Sequence, residues 1–387
     1  MKILILSASP SSEATKSIIK AGEKRGHTMV VKNPKYLYLL LSDSVNGYDR
    51  VYDGFERESK PERIPAKEYD AIIPRIGANL YYGTAVLEHL NNNLKIFSTQ
   101  TAIGIKTAAD KLISQQKLSQ AKVRVPKTIL GDRAIHAAWM FQQVGGVPAI
   151  AKELTGSQGK TVYPCMDEYQ SNVFLENFAL KKKKLLLQSF IDAGGKDIRT
   201  IVIDSKVIVA MERSAVKGEL RANISRGGSG KKVELSEEDK EMCVKAANAC
   251  GLQTAGVDLM KDKNGKSYLV EVNGNYGYHV EEITGVDIST PLIEFCERET
   301  GNGNESNQQA TAYQFGLSES PDIQAWYDNK LQALKTKVFE LKESLSKEPV
   351  YLTKNTKTPQ EKVDYQNLLR ASRLKEIDTI LSFIDLI

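Results

Sequence analysis

The chain has 387 residues, of which 41% are hydrophobic and 26% are charged, and its formal net charge is +5 at pH 7. This length allows two or three domains, and the composition is ordinary for a soluble globular protein. The small net charge does not favour nucleic-acid binding, and the sequence has neither a signal-peptide pattern nor an apolar run long enough to span a membrane. We therefore expect a cytoplasmic protein with no membrane segment and no direct nucleic-acid partner.

The cysteines and histidines do not form a metal-binding or disulfide pattern. Cys165, Cys243, Cys250 and Cys296 are scattered and include no C-x-x-C pair. Such spacing fits reduced thiols, and it excludes a zinc-finger pattern or a small disulfide framework. The four histidines also lack metal spacing, and we expect His279 to be a surface residue.

The first hundred residues alternate between strand and helix patterns. Apolar strands are predicted at residues 2–7, 29–32 and 69–74, with a helix at 12–26 that ends at a glycine. This order is typical of a doubly wound parallel sheet. No G-x-G-x-x-G follows the first strand, so the pattern is not a dinucleotide-binding fingerprint. Residues 43–68 are polar, and no element is predicted there.

The middle of the chain contains a glycine-bearing polar loop between two strands. Around this loop the sequence predicts helices at 83–90, 108–120 and 134–144 and strands at 95–98, 147–152 and 161–163. The loop reads E-L-T-G-S-Q-G-K at 153–160, and its glycines would let the backbone bend over phosphate groups. It lacks the Walker A pattern, and an ordinary β-turn loop is the alternative interpretation.

A second glycine cluster follows further along the chain. Strands are predicted at 185–191, 197–203 and 206–211, and the four lysines at 181–184 are interpreted as a solvated turn. The segment R-A-N-I-S-R-G-G-S-G at 221–230 then places Arg221, Asn223 and Arg226 beside glycines. These side chains could clamp a phosphoryl group, and a mobile basic loop is the alternative.

A helix at 236–250 precedes a predicted β-hairpin at 256–273 whose turn is Asn264-Gly265. Residues two apart on a strand share a face, so Leu269, Glu271 and Asn273 are expected to project together.

Asp258 lies on the partner strand and could meet Glu271 and Asn273. Two carboxylates and an amide oxygen suit Mg²⁺ or Mn²⁺ and not zinc, and Mg²⁺ usually completes its shell with substrate phosphates. The alternative is an ordinary hairpin with polar residues on its solvent-exposed face.

The C-terminal part has the pattern of a helical hairpin. Residues 301–312 form a polar linker, and Ser320-Pro321 is a helix start. A heptad-like seam follows, and Thr358 opens a second helix as a capping box. The apolar positions of the seam are Leu331, Leu334, Val338, Leu341 and Leu345. We expect a packing or oligomerisation arm, with a docking arm for a substrate protein as the alternative.

Several short motifs occur in order along residues 1–300. They are P-R-I-G at 74–77, Y-G-T-A at 82–85, A-D-K at 109–111, A-K-E-L-T-G-S-Q-G-K at 151–160, D-I-R at 197–199, R-A-N-I-S-R-G-G at 221–228, A-G-V-D at 255–258 and V-E-V-N at 270–273. With these motifs the chain resembles the ATP-grasp ligases, and closely the RimK branch of ATP-dependent glutamate ligases.

The resemblance implies an α/β protein with the ATP-grasp fold, an N-terminal doubly wound pre-ATP-grasp domain and an added C-terminal helical hairpin. The implied domains are a pre-ATP-grasp domain at 1–100, a small central lobe at 101–185, a C-terminal lobe with the metal site at 186–300, a linker at 301–317 and the hairpin at 318–387.

The resemblance also implies ATP and Mg²⁺ or Mn²⁺, with two ions, as cofactors, and assigns roles to residues. Loop 153–160 would cover the phosphates, and Arg221 and Asn223 would be the catalytic residues on the phosphate and acyl-phosphate oxygens. The phosphate-binding lysines would be Lys111 and Lys152, the adenine linker Gln188, Ser189, Phe190 and Ile191, the ribose ligand Asp197, a further ATP-binding segment Arg221, Ala222 and Asn223, and the metal ligands Asp258, Glu271 and Asn273.

The implied activity is an ATP-dependent carboxylate–amine ligase that works through an acyl phosphate. Its expected partners are an amino-acid donor, glutamate or another amino acid, and a carboxylate acceptor such as a peptide or protein C-terminus. A homo-oligomer is also expected. A ligase for a small metabolite and a catalytically silent ATP-binding scaffold are the alternatives.

Two departures from the family pattern bear on these expectations. Gly274-Asn275-Tyr276-Gly277 stands where the family often has A-S-P-G, and this loop helps to shape the acceptor site, so the acceptor stays open. Ser189 replaces a common glutamate in the adenine linker, where backbone recognition should survive the change.

Overall fold

The computed structural model describes residues 1–41, 50–56, 60–77, 79–131, 136–153, 162–171, 173–174, 185–216, 227–301 and 336. The chain forms two compact units, Met1–Asn307 and Gln308–Ile387. Apart from Thr336, the second unit lies outside the described residues, and with it the predicted helical hairpin. All elements below belong to the first unit.

The strands are β1 (Lys2–Ser7), β2 (Thr28–Lys32), β3 (Leu37–Leu40), β4 (Arg50–Asp53), β5 (Glu62–Ile64), β6 (Ala71–Arg75), β7 (Phe97–Ser98), β8 (Thr128–Gly131), β9 (Ala149–Glu153), β10 (Val162–Cys165), β11 (Leu185–Ser189), β12 (Lys196–Ile203), β13 (Lys206–Ser214), β14 (Ser229–Val233), β15 (Thr254–Lys261) and β16 (Ser267–Asn273). The helices are α1 (Glu13–Lys24), α2 (Leu80–Glu88), α3 (Ala102–Ala109), α4 (Lys111–Gln120), α5 (Ala137–Gln143), α6 (Glu237–Ala249), α7 (His279–Thr284) and α8 (Ser289–Gly301).

The N-terminal part is built on a parallel sheet with strand order β2-β1-β6-β7. Strand β1 is buried on both faces, because Leu4 and Leu6 belong to one apolar core and Ile3 and Ile5 to another. This is the environment that a short continuous apolar strand indicates, and the predicted doubly wound arrangement is confirmed.

A small antiparallel sheet of β3, β4 and β5 lies in and beside the segment for which the sequence predicted no element. The main buried apolar side chain of each strand is Leu37, Val51 or Ile64, respectively. Strands this short and this polar carry too little period-two pattern to be recognised from the sequence.

Two antiparallel sheets make up the rest of the unit. The smaller has strand order β10-β9-β11-β8 and packs on α5, and the larger has strand order β14-β13-β12-β15-β16. The predicted boundary at residues 185/186 falls inside β11, which belongs to the smaller sheet; the domain boundaries stay predictions.

The prediction of a single helix at 108–120 is wrong, since two helices meet there. Asp110 has an extended backbone (φ −91°, ψ 109°) and separates α3 from α4. Its carboxylate accepts hydrogen bonds from the backbone N–H groups of Leu112 and Ile113 at 2.8 and 3.0 Å. An N-cap aspartate therefore makes Lys111 the first residue of α4.

The turn of the predicted hairpin also differs from the expectation. The connection runs from Asp262 to Lys266, and of Asn264 and Gly265 only the glycine has a positive φ, at 79°. The Asp262 carboxylate accepts from the N–H groups of Asn264 and Lys266, both at 2.9 Å. A side chain that organises the loop thus replaces the two-residue turn.

All four cysteines are buried and free. None of the helices in the described ranges is both long enough and apolar enough to cross a bilayer.

Candidate active site

The metal ligands proposed from the sequence lie on adjacent strands of the larger sheet. Asp258 on β15 pairs with Glu271 on β16, and Gly256 pairs with Asn273, so the three polar side chains share one face. The structure therefore brings Asp258, Glu271 and Asn273 together.

Leu269 does not share this face, contrary to the expectation from simple alternation. The pairing shifts between Asp258 and Leu259, so that Leu269 opposes Leu259 and Val270 is an additional residue. Both leucines are fully buried. The irregularity is a β-bulge, which lets β16 bury Leu269 in the core and still present Glu271 on the opposite face.

Glu271 and Asn273 have free polar groups. Glu271 is exposed and forms no hydrogen bond or ion pair with another described residue. The side-chain amide nitrogen of Asn273 is buried and likewise has no partner within the described ranges. Buried amide groups are normally hydrogen-bonded, so the Asn273 nitrogen has donors left for a ligand, and the Glu271 carboxylate oxygens are also open to one.

Asp258 is held by two arginines on the same face. The Arg199 guanidinium, on β12, donates to both carboxylate oxygens of Asp258, and the Nη2–Oδ2 distance is 2.7 Å. Arg213 on β13 adds a contact of 3.2 Å to Oδ2. Burial alone would raise the pKa of the Asp258 carboxyl, but the two guanidinium groups outweigh it and hold this pKa below its usual value.

Asp197, the proposed ribose ligand, belongs to the same network. Arg213 donates to its two oxygens at 2.5 and 2.8 Å. Burial and the neighbouring charge of Asp258 raise the pKa of Asp197, although Arg213 opposes them. An Asp197 hydrogen bond to a sugar hydroxyl would therefore use lone pairs that the bidentate arginine leaves free.

Lys152 lies close enough to Glu271 and Asp258 to interact with their charges, and Lys111 lies close enough to interact with Lys152. Lys152 Nζ on β9 donates to Gln188 Oε1 at 2.6 Å. Burial lowers the pKa of the Lys152 ammonium to about 8; the charges of Glu271 and Asp258 oppose this, and that of Lys111 adds to it. Lys111 begins α4, half-buried. The two lysines and two carboxylates thus form one charged cluster.

The proposed adenine linker comprises the last two residues of β11, Gln188 and Ser189, and the two residues that follow the strand. The Gln188 side chain is buried and also donates to Thr128 Oγ1 at 3.0 Å. The Ser189 N–H donates to Lys127 O, and the Ile191 carbonyl accepts from the Ala193 N–H, both at 2.9 Å. Phe190 lies between them, half-buried. The linker therefore connects the Lys152 contact to β12, where Asp197 lies.

Some predicted residues lie outside the described part of the chain. These are Arg221, Ala222 and Asn223 and most of loop 153–160, of which Glu153 ends β9. Their roles stay predictions.

Three further residues organise the site, although no role was assigned to them from the sequence. Arg199 and Arg213 hold Asp258, as described above. Gln100 is buried, and its amide nitrogen donates to Thr254 O and to Gly274 O, both at 2.6 Å. It ties the start of β15 to the residue after β16. Arg199 was detectable, because it lies two residues from Asp197 on a predicted strand; Gln100 carries no such local signal.

The donor set fits a hard divalent cation. No group of three His, Cys, Asp or Glu side chains suited to a metal occurs within the described ranges. The proposed ligands are instead two carboxylates, Asp258 and Glu271, and the amide oxygen of Asn273. Mg²⁺ is commonly held by one or two carboxylates plus phosphates and water. Each carboxylate oxygen has two lone pairs, so the arginine contacts do not exhaust Asp258.

Comparison with known proteins assigns the family. The model of the RimK-like ATP-grasp domain matches residues 108–296, and that of the RimK PreATP-grasp domain matches residues 1–105. A probable alpha-L-glutamate ligase of Trichodesmium erythraeum (strain IMS101) is 34% identical over 306 residues, covering 78% of this chain and 98% of the relative. A protein of the same name from Marinomonas sp. (strain MWYL1) is 35% identical, covering 77% and 96%.

Solved structures agree on the fold. The ATP-grasp ligase PsnB, in complex with a phosphomimetic variant of a minimal precursor, Mg and ADP, is similar with a TM-score of 0.60 and 20% identity, covering 77% of this chain and 98% of PsnB. The macrocyclase MdnC of Microcystis aeruginosa MRC, bound to precursor peptide MdnA, is similar with a TM-score of 0.57 and 15% identity, covering 77% of this chain and 100% of MdnC. With its two matching domains and these relatives, the chain belongs to the RimK-like ATP-grasp family and is an ATP-grasp ligase.

Proposed function

We propose that this ligase joins the carboxylate of a peptide or protein terminus to the amino group of an amino acid, with glutamate as the preferred donor. The observation that carries the proposal is the cluster of Lys111, Lys152, Asp258 and Glu271, in which Glu271 has no partner within the described ranges. Cations beside unpartnered oxygen ligands are what a nucleotide phosphate with a divalent ion requires.

Residue roles follow from this cluster. Asp258, Glu271 and Asn273 would hold Mg²⁺ or Mn²⁺, as one or two ions, and such an ion would offset the charge of the phosphate oxygens. Lys111 and Lys152 would bind the α- and β-phosphates, and residues 188–191 would receive the adenine. Asp197 would bind the ribose. Arg221 and Asn223, with Ala222 between them, are proposed for the phosphate and acyl-phosphate oxygens.

The proposed chemistry has two steps. A substrate carboxylate oxygen attacks the γ-phosphorus of ATP, the bond to the β-phosphate oxygen breaks, and an acyl phosphate and ADP result. The amino nitrogen of the second substrate then attacks the acyl carbon, phosphate leaves, and the nitrogen loses one proton. The chain supplies positioning and electrostatics, and no covalent enzyme nucleophile is needed.

The substrate proposal draws on what similar proteins are named for. The relatives above are named alpha-L-glutamate ligases, and the solved PsnB and MdnC structures contain a precursor or a precursor peptide. These names favour an amino-acid donor and a peptide acceptor. We further propose a homo-oligomer and a cytoplasmic location; the free, buried cysteines are compatible with a reducing compartment.

The proposal is tested by phosphate release from ATP and Mg²⁺, with each of the twenty amino acids singly and with or without candidate peptides. We expect release that depends on L-glutamate and on a peptide, and a product heavier by one glutamate residue. Release that depends on an amino acid and a small carboxylate, but never on a peptide, would favour a metabolite ligase. ATP binding without release in any mixture would favour a silent scaffold.

A further inference from the structure

A cleft of about 880 Å³ opens between the N-terminal parallel sheet and the segment that follows β16. Its floor includes Ser7 and Arg75, which are paired at the ends of the parallel strands β1 and β6. One wall is formed by α1 and another by residues 275–282. In open parallel sheets, ligands bind beyond the carboxyl ends of the strands, which is where this cleft lies.

The cleft begins two residues from the proposed metal ligand Asn273. Asn275 lines it, and two residues of extended chain span at most about 7 Å. A Cβ atom added to Gly77 would lie 2.3 Å from Asn275 Nδ2, so the two sides of the cleft meet closely here. A molecule in the cleft is therefore within reach of a carboxylate that reacts at the metal end of β16.

Arg75 is a rigidly held cation in this cleft. Its guanidinium carbon lies 5.4 Å from the ring centre of Tyr276 and 5.2 Å from that of Tyr278. The two rings are parallel within 5°, and Arg75 Nη2 also donates to the Tyr276 carbonyl at 2.6 Å. Burial raises the pKa of both tyrosine hydroxyls, so the rings act as neutral faces for the cation.

Arg75 has no anionic partner among the described residues. A guanidinium has five N–H donors, of which the contact with Tyr276 uses one. The acidic residues that line the cleft have other partners: Glu13 pairs with Lys16 at 2.9 Å, Glu281 accepts from Ser17 Oγ at 2.7 Å, and Glu282 lies 3.4 Å from His279 Nδ1. A half-buried cation with free donors and no counter-ion is a site for an anion that the chain itself does not supply.

We infer that Arg75 binds the α-carboxylate of the incoming glutamate, with the amino group directed toward the end of β16 that carries the proposed metal ligand Asn273. This assignment rests on the proposed function. An Arg75-bound carboxylate would have its oxygens occupied by donors, which makes it a poor nucleophile toward ATP. The site therefore suits the amino acid that attacks with nitrogen, and not the carboxylate that is phosphorylated. Lys20 on the α1 wall is exposed, and a second carboxylate would find a cation there.

The test compares L-glutamate with its α-amide, which keeps the amine and the side chain but lacks the α-carboxylate. Binding of each is measured by calorimetry to the full chain with ADP and Mg²⁺, in wild type and in Arg75→Met. We expect Arg75→Met to weaken L-glutamate binding about 10- to 100-fold, as for lost hydrogen bonds to a charged group. Affinity for the α-amide should be weak in both proteins and unaffected by the substitution.

Arg298→Met is the matched control. Arg298 also lies over an aromatic ring, that of Phe295 at 5.3 Å, but it is on α8 and pairs with Asp204 at 2.8 Å. It should leave glutamate binding unchanged. If Arg75→Met fails to fold, Arg75→Lys replaces it, because a lysine keeps the charge but loses the bidentate geometry; it should bind glutamate with intermediate affinity.

The assignment is overturned if wild type does not bind L-glutamate, if it binds the α-amide equally well, or if Arg75→Met and Arg298→Met behave alike. Failure of the proposed function is a separate result, because this measurement needs no turnover. Suppose that glutamate binding depends on Arg75 but no amino acid stimulates phosphate release. This result would support glutamate binding in the cleft and contradict glutamate as a substrate of the ligase reaction.

Discussion

Glu271 is exposed and has no partner within the described ranges, although it lies opposite Asp258 and interacts with the charge of Lys152. Replacing it with glutamine therefore removes no contact that stabilises the fold. We expect Glu271→Gln to change the free energy of unfolding by less than about 0.5 kcal/mol. Turnover with Mg²⁺ should fall about 100-fold or more, since charge compensation by a metal is worth several kcal/mol.

Phosphate release and urea unfolding of the same preparation measure the two effects. Glu234→Gln, at an exposed carboxylate after β14, is the control and should leave both unchanged. Unaltered turnover in Glu271→Gln would remove Glu271 from the metal site.

Arg213 contacts two carboxylates at once and is almost fully buried. Its substitution by methionine leaves Asp197 without its bidentate partner and weakens the hold on Asp258. Breaking a buried pair on one side costs about 3–5 kcal/mol, and here uptake of a proton by Asp197 limits the loss. We expect Arg213→Met to lower the free energy of unfolding by about 3 kcal/mol in urea titrations.

A double variant separates the effect of the lost Arg213–Asp197 ion pair from the effect of the changed packing. Asp197→Asn in the Arg213→Met background removes the unpaired charge, so its unfolding free energy should rise above that of the single variant. Arg298→Met, at an exposed pair, should stay close to wild type. Equal losses in the single and the double variant would contradict a role for the Asp197 charge.

For single residues, the sequence predicted which proposed ligands lie together better than it predicted their contacts. Asp258, Glu271 and Asn273 were proposed as metal ligands because strand alternation and ligand chemistry are local properties, and the pairing of β15 with β16 places them on one face; their role as metal ligands stays a prediction. The Arg199–Asp258 pair and the contacts of Gln100 were not found, since their partners lie on strands distant along the chain. Arg199 and Asp258 are 59 residues apart, and only the sheet order reveals the pair.

Elements with strong periodicity were predicted well, and their irregularities were not. Strand β1 and the strand pair β12–β13 lie where the patterns indicated. The bulge at Val270 escaped prediction, because alternation assumes regular pairing and nothing in V-E-V-N marks an additional residue. The helix break at Asp110 had a signal in the capping preference of aspartate, which the longer helical pattern obscured.

One carboxylate of helix α8, that of Glu297, contacts the link between α1 and β2. Glu297 accepts from Arg25 at 2.8 and 2.6 Å, and its Oε1 lies 2.7 Å from His27 Nε2. The hydrogen bonds from Arg25, opposed in part by burial and supported by His27, lower the pKa of Glu297 from 4.5 to about 2. A carboxyl whose pKa is lowered by folding stabilises the folded state above its unfolded pKa, and this contribution is lost as the pH falls toward about 2.

We therefore expect wild type to lose more stability than Glu297→Gln when the pH is lowered from about 5 to about 3, by about 1 kcal/mol after solvent screening. Urea unfolding at a series of pH values measures the difference. Glu294→Gln is the matched control, since Glu294 meets the same Arg25 at 3.2 Å but is half exposed. Parallel pH curves for wild type and Glu297→Gln would contradict the prediction.

At the scale of the whole molecule, the apolar cores of the described residues are contained in the first unit. The three buried clusters run from Ile3 to Cys296, and the compact unit ends at Asn307. Both family matches also end before this point, the pre-ATP-grasp match at residue 105 and the ATP-grasp match at residue 296. A chain of residues 1–307 therefore contains every packed element described above. The predicted helical hairpin at 318–387 is expected to mediate assembly of subunits and to contribute nothing to the core of the first unit.

We expect the 1–307 protein to fold with a thermal midpoint close to that of the full chain and to bind ATP with unchanged affinity. In sedimentation it should contain fewer subunits than the full chain. Leu334→Asp with Leu341→Asp in the full chain should reproduce the smaller species without any deletion, because both positions lie on the predicted apolar seam. An insoluble or unfolded 1–307 protein would make the C-terminal part a component of the core. An unchanged number of subunits in both proteins, together with loss of peptide-dependent phosphate release, would instead identify the C-terminal part as a docking arm for the substrate.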